Sequence, residues 1–199
     1  MFTHLRHRLN RYKKRLHKQR GRILGRRSIH DRPAIIDQRV RYGDWEIDTV
    51  IGKRGTGAIV TILERKSRFY LVKKVTSKHA QSVAEATVEM LQPFKALVHS
   101  ITADNGLEFA DHGFMARELD ADVYFADPYA SYQRGANENA NGLLRQYVPK
   151  GTDLRTVTGT QLSQYEKRLN LRPRKLLGFI QPDVIFKEQL QLAMSGCCS

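Results

Sequence analysis

The sequence predicts an α/β fold, a mixed five-stranded sheet flanked by helices with a basic helical arm in front of it, on three observations. A run of alternating apolar and polar residues opens an antiparallel meander. An amphipathic helix then returns the chain to a further apolar strand, and the second half of the chain carries helical periodicity. With 199 residues the chain holds one full domain and an extra arm.

The arm comes first. Residues 1–41 hold 14 Lys and Arg against 2 acids, a net +12 within a total of +14. Leu5, Leu9, Tyr12 and Leu16 fall at near-helical spacing, one thin apolar stripe on a helix whose like charges repel more than that stripe can recover by burial. Such a segment needs a polyanion, and nucleic acid is the partner expected, since each phosphate neutralised releases counterions. Gly21, Gly25 and Pro33 read as a linker, with the folded part starting near residue 42.

Within residues 45–51, Trp45, Ile47, Thr49 and Ile51 share one face of a strand and Glu46, Asp48 and Val50 the other. Residues 52–57 supply hairpin glycines, 58–63 form a β-branched strand, and 69–75 complete the meander. Val83, Ala86, Thr87, Met90 and Leu91 make the stripe of a helix stopped before Pro93. Residues 96–103 read as a buried strand ending at Asp104, Asn105 and Gly106, where Asn-Gly permits a sharp turn. A helix over 109–119, a short strand over 123–126, a loop over 128–135 and a helix over 137–147 follow. The core is thus expected over 42–190, with 191–199 as a flexible tail.

Several classes are excluded. No apolar run approaches the roughly 18 residues of a spanning helix, so no membrane role is expected. Cys197 and Cys198 are adjacent and too few for a disulfide framework or a metal site. The start of the chain lacks the apolar segment of a secretory signal, which makes a cytoplasmic location the expectation.

Three acids stand out. Asp48 interrupts an apolar strand, Asp104 closes a buried strand at the edge where α/β sheets open their crevices, and Glu138 lies beside Asn141 and Arg145 on its helix. Each also has a plainer reading: the wet face of an edge strand for Asp48, a turn residue for Asp104, and for Glu138 a first-turn acid favoured by the helix dipole. Together they suggest a three-carboxylate site. Such a cluster raises its own pKa values unless divalent cations occupy it, and oxygen donors select Mg²⁺ or Mn²⁺ over zinc. Two such ions roughly 4 Å apart suit in-line phosphoryl transfer.

Longer strings carry a resemblance. Residues 43–48 (GDWEID), 102–109 (TADNGLEF), 132–143 (YQRGANENANGL), 145–147 (RQY), 149–152 (PKGT) and 169–175 (LNLRPRK) resemble bacterial insertion-sequence transposases, those of the insertion sequence thirty family in particular. The likeness runs from about Ile29 to Phe186. It implies an RNase H-like core of the retroviral-integrase type, with Asp48, Asp104 and Glu138 as the catalytic triad holding two Mg²⁺ or Mn²⁺ ions. The 33 residues between Asp104 and Glu138 suit it. It implies metal-dependent cleavage at transposon ends, strand transfer into target DNA, and a homodimer or higher oligomer in the working assembly.

Asn105, Arg134, Arg145 and Lys150, with Arg172, Arg174 and Lys175, are the expected DNA contacts. For the last three a solvated turn is the alternative. Two departures belong to the same reading. The family carries Gly where this chain has Ile47, and its members have helix-turn-helix segments ahead of the core, so an N-terminally truncated chain is expected. A catalytically silent DNA-binding remnant and a structure-specific nuclease with the same core are the rival functions.

Overall fold

The computed structural model describes residues 23–128 and 130–195, so the helix expected around Leu5 to Leu16, and Cys197 and Cys198, lie outside the described residues. The first elements come from the stretch read as linker. Arg27–Ser28 (β1) pairs in parallel with a strand nearly a hundred residues later, a capping box on Ser28 and Asp31 closes the turn after it, and Ala34–Gln38 (α1) follows.

Asp44–Ile51 (β2), Ala58–Glu64 (β3) and Tyr70–Val75 (β4) form the expected antiparallel meander. Gly57 leads into β3 with φ +92°, and a Cβ there would stand 2.3 Å from the Val75 carbonyl oxygen, so the turn admits no side chain. Ala80–Leu91 (α2) carries the chain across the sheet. The strand expected from residue 96 is shorter than read: Gln92–Leu97 winds as 3-10 turns around Pro93, and extended backbone begins only at Ser100–Ala103 (β5). Proline fixes φ near the helical value, so the turn continues through residues whose apolar character looked like strand.

His112–Leu119 (α3) and Asp122–Phe125 (β6) close the sheet. Gly135–Leu144 (α4), Gly159–Asn170 (α5) and Pro182–Ser195 (α6) make up the helical remainder, α6 running through the first residues of the expected tail.

The six described strands lie in the order β1-β6-β5-β2-β3-β4. The strands β1, β6, β5 and β2 are parallel, while β3 and β4 are antiparallel to their neighbours. The sixth strand was hidden because two residues in a basic stretch carry no periodicity. One face packs Trp45, Ile47, Val60, Ile62 and Ile101 against α2, α3 and Phe186 of α6. Phe186 stacks on Phe69 at 4.3 Å and meets Trp45 edge-on at 5.5 Å, and burying such a ring stabilises by roughly 3 kcal/mol. The other face packs Val50, Ile59, Leu63 and Tyr70 against Ala140 and Leu144 of α4 and Leu162 and Leu169 of α5.

The strand carrying Asp48 is therefore not an edge. β2 lies between β5 and β3, and its acids Asp44 and Glu46 are fully buried rather than wet. Each has a cation: the Arg41 guanidinium donates twice to Asp44 at 2.9 Å, and Arg65 lies 3.0 Å from Glu46. Ionised carboxylates survive burial only on those terms.

Candidate active site

The sheet brings two of the three acids together. β2 and β5 are parallel neighbours with Glu46 opposite Thr102, and continuing that register two residues sets Asp48, in the middle of β2, beside Asp104, just past the carboxyl end of β5. A third element joins them. Arg134, at the entrance to α4, is buried and donates from Nη1 to the Ile47 carbonyl at 3.0 Å and from Nη2 to Asp104 Oδ2 at 3.2 Å, with Asp48 Oδ2 3.7 Å from Nη1. The sequence reading offered this arginine as a DNA-backbone contact. The structure places it between the two aspartates as their counter-cation.

Each aspartate is further fixed. Asp48 accepts from its neighbour's backbone, Thr49 N, at 2.7 Å and from Asn141 Nδ2 at 3.0 Å. Asp104 accepts from Gly106 N at 2.7 Å, the turn expected of it, and that role coexists with facing Arg134. A Cβ on Gly106 would stand 2.4 Å from Glu108 Oε2 and 2.8 Å from Asp104 Oδ1, so a side chain there would push on both carboxylates.

Burial pushes the Asp48 carboxyl above the usual carboxylate range, Arg134 offsets part of that, and the negative charges of Asp104 and Glu108 add to it. Glu108 was not singled out in the sequence. It is buried, accepts from Thr49 Oγ1 at 3.0 Å and pairs with Lys78 at 2.5 Å. A native pKa above the unfolded one means that Asp48 contributes stability below about pH 4, and that this is lost as pH rises through the raised value; Glu64 and Glu166, also raised by burial, act in the same direction. Asp48→Asn is therefore expected to be at least as stable as the parent at pH 7, with the difference shrinking toward pH 4. Thermal unfolding from pH 4 to 8 checks this, and a variant less stable at pH 7 contradicts it.

Glu138 sits one turn into α4. Arg134, Glu138, Asn141 and Arg145 follow one another at intervals of four, three and four residues, which puts them along one side of the helix. Residues on either side of Glu138 in that row, Arg134 and Asn141, approach the Asp48 carboxylate, and Glu138 itself is exposed with no hydrogen bond or ion pair among the described residues. Among those residues no group of three or more His, Cys, Asp and Glu stands ready-made for a metal ion. The donor set nonetheless fits a hard dication: two carboxylates converge on one positive charge, all donors are oxygen, and a free third carboxylate lies on the adjoining helix.

The other expected contacts divide. Asn105 is engaged on both sides of its amide, accepting from Arg26 and donating to the Ala126 carbonyl. Arg145 donates to the Ile51 carbonyl at 2.9 Å, tying α4 to the end of β2. Lys150, Arg172 and Lys175 are exposed, and Arg174 is half-buried and donates to the Leu169 carbonyl at 2.9 Å.

No protein-family model matches the chain. Curated relatives do. It is 48% identical over 190 residues to the transposase for insertion sequence element IS4351 of Bacteroides fragilis, covering 94% of this chain and 58% of that protein. It is 40% identical over 165 residues to the transposase of insertion sequence element IS30A of Escherichia coli, covering 82% of this chain and 43% of that one. The chain thus spans about half the length of the curated relatives it matches. Among solved structures, the catalytic core domain of BIV integrase superposes with a TM-score of 0.57 at 20% identity, over 75% of this chain and 97% of that one. No helix of the described residues is long and apolar enough to cross a membrane.

Proposed function

Because the chain is a relative of insertion-sequence transposases, including members of the insertion sequence thirty family, and has the fold of an integrase catalytic core, we propose that it is the catalytic part of a DDE transposase acting on DNA. The observation that carries this reading is the convergence of Asp48 and Asp104 on one cation beside the helix of Glu138. Asp48, Asp104 and Glu138 are the residues that would hold two divalent ions, magnesium or manganese. Bound there, the ions supply Lewis acidity and neutralise charge at the scissile phosphate.

The chain's own residues do the rest. Asn141 and the Thr49 amide orient Asp48, the Gly106 amide orients Asp104, and Arg134 keeps the two like charges in register. Ile47 points its side chain into the core on the far face of β2, so the β-branched residue standing where the family carries glycine extends the strand without crowding the carboxylates. Lys150, Arg172 and Lys175 meet the DNA backbone, as does the basic segment over 1–41, whose later residues are tied to the sheet through β1. The core over 42–190 forms a homodimer or larger assembly when two DNA ends are joined.

The test is nicking of duplex DNA carrying an insertion-sequence end, by the chain with Mg²⁺ or Mn²⁺, with joining scored on pre-nicked ends. Metal-dependent nicking and joining are expected. Binding without cleavage would reduce the chain to a silent DNA-binding remnant, and hydrolysis without joining would make it a nuclease.

A further inference from the structure

A second basic feature lies on the opposite flank of α4 from Asp48. A cleft of about 290 Å³ opens between α4, α5 and the paired strands β3 and β4, and its lining holds three arginines, Arg39, Arg68 and Arg174, and no acid. The Nε of Arg68 and the Nε of Arg174 are buried without a hydrogen-bond partner among the described residues, and Arg68 makes no ion pair among them. Arg39 and Arg68 both hold left-handed backbone, at φ 56° and 64°, a conformation costly for a side chain of that size. Burial lowers the pKa of Arg68 and Arg174; Arg39 lowers Arg68 further while Glu46 and Glu64 offset part of that, and Arg172 lowers Arg174 further. Three arginines lining one cleft that no acid lines are a site for an anion.

Apart from Asn139 and the Tyr70 hydroxyl, the rest of the cleft is apolar. Leu63, Leu143 and Leu169 line it, which a bare inorganic anion does not require, and Gly135, Ala136 and Asn139 of α4 bring it within one turn of Glu138. The chain's own basic arm is the wrong sign to fill it. We propose that this cleft receives one unstacked nucleotide of the DNA strand passing Glu138, its phosphate on Arg39, Arg68 and Arg174 and its base against the leucines. The proposal rests on the reading of the acids as a DNA-processing site, and it turns one of the basic residues expected to contact DNA, Arg174, into part of a defined subsite.

Binding is measured without metal, in EDTA, so that cleavage plays no part. The probes are a 12-nucleotide thymidine oligomer, a duplex of the same length, thymidine monophosphate and inorganic phosphate. Arg68→Gln and Arg174→Gln are each expected to weaken the single strand about tenfold, and to flatten its log-log salt dependence by about 0.7 per lost contact. Arg117→Gln, exposed on α3 across the sheet, is expected to change it less than about twofold. Thermal unfolding confirms that each variant is folded, and Arg39→Gln, at an exposed position, carries the test if Arg68→Gln is not.

Thymidine monophosphate is expected to compete better than phosphate and worse than the oligomer. Equal losses in Arg117→Gln, equal weakening of duplex and single strand, or phosphate competing as well as the nucleotide would each overturn the proposal. A free nucleotide that outcompetes the strand would also overturn it, by assigning the cleft to a small molecule. None of these results touches the acid site, whose failure would show instead as cleavage surviving in Asp48 and Asp104 variants.

Discussion

Asp48→Asn, Asp104→Asn and Glu138→Gln are each expected to lower DNA nicking by roughly a thousandfold or more, a loss of about 4 kcal/mol of transition-state stabilisation. The argument is electrostatic. Each substitution preserves shape and removes one negative charge from a set whose purpose is to hold positive charge at a phosphate. Asp48 and Asp104 converge on Arg134 with N–O separations of 3.7 and 3.2 Å, so the two negative charges share one locus and removing either weakens the field there. DNA binding without metal is expected to persist in all three, because none of them is a cationic contact. Retention of nicking by Asp104→Asn would dismiss the scheme. Because the same acids repel one another and Asp48 is held above its ordinary pKa by burial, the inactive Asp48 variant should not be a destabilised one.

The largest stability effect is expected at Glu46. It is fully buried, lies 3.0 Å from Arg65, accepts from the Asn137 amide at 2.9 Å, and its backbone carbonyl accepts from Asn137 Nδ2 at 3.2 Å. Arg65 donates onward to the Ile36 carbonyl at 2.6 Å. One carboxylate thus joins β2, the turn after β3, α1 and the first turn of α4. Glu46→Ala leaves a buried guanidinium without its partner, at a cost of about 3–5 kcal/mol and a fall in melting temperature of roughly 10 °C. It also frees the first turn of α4, the helix that carries Glu138, so nicking should fall beyond what partial unfolding explains. Replacing both partners with Met is expected to recover most of the stability, because no buried charge is then stranded. Full stability in the single variant would show that the pair is not structural.

Glu46 also marks where the sequence stopped being legible. The meander announced itself because its strands alternate or are β-branched, and α2 because its stripe is regular. The acids of β2 read equally well as a solvated edge, since nothing local to Asp44 or Glu46 tells that Arg41 and Arg65 will meet them in the interior. Their burial depends on β5 joining β2, a pairing between segments more than fifty residues apart. β1 was hidden for the same reason, being two residues that become a strand only against β6. At the site, the position of Asp48 within one strand and of Asp104 at the end of another could be read, as could the likeness of the strings around them. The role of Arg134 could not, because a surface arginine and a buried counter-cation have the same spacing in a helix. Glu108 was masked by the short turn after Gly106, which shows no pattern.

The central claim is that Asp48, Asp104 and Glu138 act as one divalent-cation site. Titration of Mn²⁺ into the DNA-free chain, followed by electron paramagnetic resonance or calorimetry, tests it most directly. The account predicts saturable binding that Glu138→Gln and Asp104→Asn each weaken at least about tenfold, with the folded state intact. Binding unchanged in Glu138→Gln would contradict it, by leaving the exposed glutamate of α4 outside any site the two aspartates form.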